Sequence, residues 1–233
     1  YTLFFGIKLL FITKILKKRK FNILSVAVSA KTDNICFGTN YITFKGWTDT
    51  YIRNSVKGFH YLLEAFAEVL KDFPDATLAV PGKSFLKANR LRCSSYQKYL
   101  KKLTEQYDLG DKIEFLGSLD ADGMKRQMLM SNIFVMPSVI ENSPNALGEA
   151  MILGLPCVAA DVGGVTTLMT HNAEGYVYQS SAPYILAYYV RNVFFMEEKA
   201  AEMGQAARNH ALKTHDPETN LRDLLGIYEE IAT

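Results

Sequence analysis

The chain has 233 residues, 48% of them hydrophobic and 21% charged, which suits a globular domain with a substantial core and excludes a disordered or fibrous chain. A formal net charge of +2 is too small to call for a nucleic-acid partner. Three cysteines (Cys36, Cys93 and Cys157) are odd in number and lack C-x-x-C spacing, so neither a disulfide framework nor a zinc site is indicated, and a reducing, cytoplasmic setting fits.

The charge is unevenly spread. Residues 1–32 carry seven basic and no acidic side chains, leaving 19 basic against 24 acidic further on. The basic excess centres on Lys14, Lys17, Lys18, Arg19 and Lys20. The apolar stretch 1–16 is interrupted by Lys8 and Lys14 and falls short of the roughly 20 residues a membrane span needs. No small-residue cleavage site follows it. Residues 1–20 are therefore read as an interdomain linker or packing helix, with a peripheral helix on the cytoplasmic membrane face as the second reading. Residues 21–233 are read as one α/β domain.

In that domain, short apolar runs rich in β-branched residues alternate with segments of helical period. Strands are predicted over 22–28 (NILSVAV), 76–80, 112–116, 133–136, 156–160 and 175–178. Runs apolar on both faces suit a parallel sheet covered on each side by helices. Helices are predicted over 58–72, 96–107, 121–130 and 146–153, with Asp120 as an N-cap and Gly154 as a C-cap. Three further helices, over 183–196, 197–214 and 218–231, close the chain, with Pro217 at a joint. The alternation predicts a doubly wound parallel sheet with C-terminal helices, its ligands at the carboxyl ends of the strands. Residues 32–55 do not fit: they are long for a βα connection and are read either as a functional loop on the ligand side of the sheet or as a simple insertion, with a β-hairpin as a candidate element.

The chemistry concentrates between Met136 and Gly164. A strand ends at Met136, Pro137-Ser138 turns the chain, and the loop Glu141-Asn142-Ser143-Pro144-Asn145 opens a helix that carries Glu149. A helix start offers backbone N–H groups and a dipole that favours an anion. Two carboxylates flanking it can each accept a pair of neighbouring sugar hydroxyls in a fork. No Gly-x-Gly-x-x-Gly follows the first strand, which argues against a dinucleotide-dependent oxidoreductase.

The order strand, Pro-Ser, Glu-x7-Glu, helix, Gly-x-Pro, strand, Gly-Gly resembles the donor domain of retaining GT-B glycosyltransferases of the "group 1" type. Lys57-Gly58 resembles the family's opening of its first helix, Val80-Pro81-Gly82 its second strand end, and Phe115-Leu116-Gly117 its "FLG" strand. Tyr1-Thr2-Leu3-Phe4 resembles the linker between the two domains, and the chain opens without Met. The expectation is therefore that an N-terminal acceptor domain lies upstream.

The resemblance implies a Rossmann-like donor domain that binds a nucleoside diphosphate sugar, UDP-, GDP- or another, without a cofactor or bound metal. It implies that Glu149 holds the ribose, while Glu141 faces the donor hexose. The backbone of Asn142, Ser143, Pro144, Asn145, Ala146 and Leu147 would meet sugar and diphosphate. Lys57 would neutralise the diphosphate as the bond to the sugar opens, and Gly117 and Ser118 would lie beside the base. Gly163-Gly164 would form the turn after the fifth strand. One departure stands out. Where the family has Gly-Arg, this chain has Gly46-Trp47, and Arg53 is the expected substitute, with Lys45 as its rival.

The implied function is hexosyl transfer with retention to a glycan- or lipid-linked acceptor. A nucleotide-sugar epimerase of the same fold and a non-catalytic binding module are the alternatives, and the Pro-Asn-Ala-Leu-Gly-Glu loop favours the transferase. The four histidines and Cys157 are read as structural or solvated.

Overall fold

The computed structural model of the chain describes residues 41–44, 55–87 and 93–232. Gly38–Arg208 forms one compact unit, and the described residues from 209 onward belong to a second. The predicted strand over 22–28 lies outside the described residues, as do residues 1–20.

Among the described residues the first unit has six parallel strands: β1 (Tyr41–Phe44), β2 (Thr77–Val80), β3 (Ile113–Phe115), β4 (Ile133–Met136), β5 (Cys157–Ala160) and β6 (Tyr176–Tyr178). Their order across the sheet is β3-β2-β1-β4-β5-β6, and every pair is parallel. Between them run α1 (Phe59–Val69), α2 (Ser95–Gln106), α3 (Ala121–Met130), α4 (Asn145–Ile152) and the short α5 (Val165–Leu168). Three helices follow: α6 (Pro183–Phe195), α7 (Glu197–Thr214) and α8 (Pro217–Ala232).

The reading of residues 32–55 needs correction. The segment, expected to be a ligand-side loop or an insertion with a candidate hairpin, contains β1, the strand at the centre of the sheet. Its Tyr41 lies opposite Thr77 of β2 and its Ile42 opposite Ile133 of β4, so both edges are taken by parallel neighbours. A hairpin arm would need an antiparallel neighbour on one edge. Tyr-Ile-Thr-Phe has strong strand-forming side chains but only four residues, too short a run to mark a central strand.

Strand residues are buried on both faces. Leu78, Val80, Ile133, Val135, Val158 and Ala160 join Phe59, Leu62, Leu63 and Phe66 of α1 and Leu186, Ala187 and Val190 of α6 in one cluster. The alternate residues Ala79, Phe134, Met136, Cys157 and Ala159 are buried as well, on the face met by α3 and α4. This is the period-two pattern of a sheet with helices on both sides. Burying each large side chain contributes roughly 1.5–3 kcal/mol. Near the far ends of α1 and α6, Arg191 pairs with Asp72, and Phe73 sits edge-on to Phe194 with centroids 5.0 Å apart.

The predicted caps hold in detail. Asp120 accepts from the Gly123 N–H at 2.7 Å, and Gly154 takes φ +75° just past α4. At α2 a reciprocal capping box joins Ser94 and Gln97.

Candidate functional site

With all strands parallel, the loops leaving their C-terminal ends gather along one edge of the sheet. Strand order reverses between β1 and β4, where the chain stops winding towards β3 and starts winding towards β6. In open α/β sheets ligands bind in the crevice at such a switch point. Two loops flank it here: the one from β1 to α1, ending at Lys57-Gly58, and the one from β4 to α4, residues 137–144.

Those loops bring two of the charged residues expected at the site together. Lys57 Nζ donates to Glu141 Oε2 at 2.6 Å, although the residues are 84 positions apart. Their side chains keep only 26% and 19% of their surface exposed. Glu149 lies further along, partly buried on α4.

Glycines hold both partners of the ion pair in place. Gly58 stands at φ +66°, and a Cβ there would lie 1.8 Å from the Pro137 carbonyl oxygen. Beside it the Val139 N–H donates to the Val56 oxygen at 2.8 Å. On the other flank Gly163 stands at φ +53°, and its Cβ would lie 1.8 Å from the Glu141 oxygen. The Gly164 N–H donates to the Asn142 oxygen at 2.9 Å. Any side chain at either position would push the acidic loop away. The Gly-Gly pair after β5 was legible as a turn, but its grip on Glu141 was not.

At the start of α4 the Leu147 and Gly148 N–H groups both donate to the Pro144 oxygen, at 2.9 and 3.3 Å, and Asn145 donates to Ser143 at 3.0 Å. Within the run 142–147 this narrows the amides that could meet an anion to those of Asn142, Ser143 and Ala146, whose N–H groups donate to no backbone oxygen among the described residues.

Further along the edge, Gly82 donates to the Gly117 oxygen at 2.6 Å and Gly117 donates back at 3.1 Å, tying the ends of β2 and β3 together. Gly117 has φ +67° with open space where a Cβ would stand, and Ser118 beside it is exposed. This places both on the ligand-side edge, two strands from the switch point. Arg53, Lys45 and Trp47 lie outside the described residues.

His60, one turn past Lys57, is turned to structure. Its Nδ1 lies 2.9 Å from the Tyr96 hydroxyl of α2, and burial pulls its pKa below the usual imidazole value. Burial likewise pushes the Cys157 thiol up, as befits a core strand residue. Among the described residues no group of three His, Cys, Asp or Glu side chains could hold a metal ion, and no helix is long and apolar enough to cross a membrane.

The family model for "Glycosyl transferases group 1" matches residues 53–210. The chain belongs to this glycosyltransferase family. Among curated relatives, spore coat protein SA of Bacillus subtilis is 25% identical over 179 residues, which cover 76% of this chain and 46% of the relative. Among solved structures, sucrose-phosphate synthase from Thermosynechococcus elongatus superposes with a TM-score of 0.72 at 21% identity, over 88% of this chain and 48% of that one. Anabaena HepE in complex with UDP-glucose superposes with a TM-score of 0.69 at 20% identity, over 91% of this chain and 53% of that one. The sheet and its helices are thus the Rossmann-like fold of the GT-B glycosyltransferases. The chain spans about half the length of the relatives it matches.

Proposed function

We propose that this chain is the donor-binding half of an enzyme that transfers a hexosyl group from a nucleoside diphosphate sugar, with retention at the anomeric carbon. The observation that carries the reading is the Lys57–Glu141 pair, held by glycines over the switch point of the sheet. The HepE structure, which holds UDP-glucose on the same fold, supports the choice of ligand class.

In this reading the diphosphate sits at the start of α4, where the amides of Asn142, Ser143 and Ala146 and the helix dipole favour an anion. Lys57 neutralises the charge that grows on the diphosphate as the bond between the anomeric carbon and the phosphate oxygen breaks. No metal or cofactor is assigned. Glu149 accepts the ribose hydroxyls in a fork, and Glu141 accepts those of the hexose. The base lies along the edge at Gly117 and Ser118. The acceptor is held by a separate domain, a division that fits a chain spanning half the length of its relatives.

A mass-spectrometric screen of ligands retained by the chain tests this. The reading expects UDP- or GDP-sugars. Retention of NAD instead, or of nothing, would contradict it.

A further inference from the structure

We infer that Glu141 is a resident competitor for Lys57: its carboxylate occupies the seat of a phosphate, weakening free nucleoside diphosphate while welcoming the sugar-bearing donor. The inference rests on the proposed donor site and assigns that site a preference between substrate and product.

Two facts make the pair a built feature and not a chance surface contact. The 2.6 Å separation is that of a charge-assisted hydrogen bond, and both side chains are mostly buried. Moreover, neither backbone can drift away. Gly58 presses the Lys57 side of the crevice against Pro137, and Gly163 presses the Glu141 peptide from the opposite flank. With both anchors fixed, Lys57 meets a carboxylate whenever the crevice is empty.

A diphosphate arriving at Lys57 therefore meets a negative charge already in place. If Glu141 swings aside, its hydrogen bond to Lys57 is lost and must be replaced. If it stays, it opposes the phosphate through like-charge repulsion in a partly desolvated crevice. Both routes weaken binding of a bare diphosphate. A donor hexose changes the balance, because its hydroxyls are neutral donors that satisfy the carboxylate released from Lys57. The site would then take up the sugar nucleotide and release the nucleotide left after transfer. A neutral residue at 141 would give up both effects.

The test is calorimetric titration of the chain with UDP and UDP-glucose, and with GDP and GDP-mannose, across five forms: wild type, Glu141→Gln, Glu141→Asp, Lys57→Ala and Lys57→Ala/Glu141→Gln. Glu141→Gln is expected to tighten the free diphosphate about threefold or more, and to shrink the preference for the sugar-bearing ligand. Glu141→Asp keeps the charge and should show no tightening. With Lys57 removed, the Gln substitution should no longer tighten the diphosphate. Unchanged or weaker diphosphate binding by folded Glu141→Gln would overturn the competitor role while leaving the donor site standing. No binding of any of the four ligands by wild type would sink the donor site itself.

Discussion

Gly58, Gly163 and Gly117 all stand at positive φ, yet their surroundings differ, and the difference sets what a methyl group would do. At Gly58 and Gly163 it would land 1.8 Å from a carbonyl oxygen of the acidic loop, so backbone must move. Alanine at either position is expected to cost more than about 2 kcal/mol, from strain plus displacement. At Gly117 the space is open and only the left-handed conformation is penalised, about 1 kcal/mol. At Gly226, inside α8 with nothing within reach, alanine should stabilise by roughly 0.5–1 kcal/mol. Urea unfolding of the four variants checks the ranking; a Gly163→Ala chain as stable as wild type would show that the acidic loop is not gripped. From the sequence Glu141 and Glu149 could be picked out by their place around a helix start, and Lys57 by the family resemblance. The contact of Lys57 with Glu141 could not, because it joins loops from two strands that only the sheet makes neighbours.

At the scale of elements, the docking of α1 on α2 runs through His60, whose Nδ1 meets the Tyr96 hydroxyl and whose ring lies 4.0 Å from that of Tyr61. Burial holds the folded-state pKa of His60 below the ordinary imidazole value of about 6.5. The folded chain therefore binds this proton less readily than the unfolded chain, so stability is kept above that value and lost as pH falls through it. His215, between α7 and α8, is shifted in the same direction, first by burial. The midpoint of thermal unfolding should fall between roughly pH 7.5 and 5.5, and His60→Gln should make the slope shallower. An unchanged slope in that variant would remove His60 as a source. Apart from the short α5, the helices were readable from apolar period and caps to within a residue or two, save the C-terminal end of α1, and strands β2 to β6 from their apolar runs. β1 was not, because four residues flanked by polar loop chemistry carry too little signal. Its identity as the central strand depends on register with Thr77 and Ile133, which no local pattern encodes.

For the whole molecule, the sheet of the described residues has the strand order of a doubly wound nucleotide-binding fold, and the chain spans about half the length of its relatives. Transfer needs the acceptor hydroxyl held against the anomeric carbon and water kept out of the cleft. On the proposed division the chain supplies one wall of that cleft, so acceptor-dependent transfer by these 233 residues alone should stay at background. Robust transfer by the chain in a coupled nucleotide-release assay would overturn the division into donor and acceptor halves. Binding is a different matter, since every residue assigned to the diphosphate lies within the chain. The central claim is that a nucleoside diphosphate binds at the switch point through Lys57, and calorimetric titration with UDP and GDP, for wild type and Lys57→Ala, tests it most directly. The account predicts that the variant binds at least about tenfold more weakly, a difference of about 1.4 kcal/mol. Equal affinity in a correctly folded Lys57→Ala chain would contradict it.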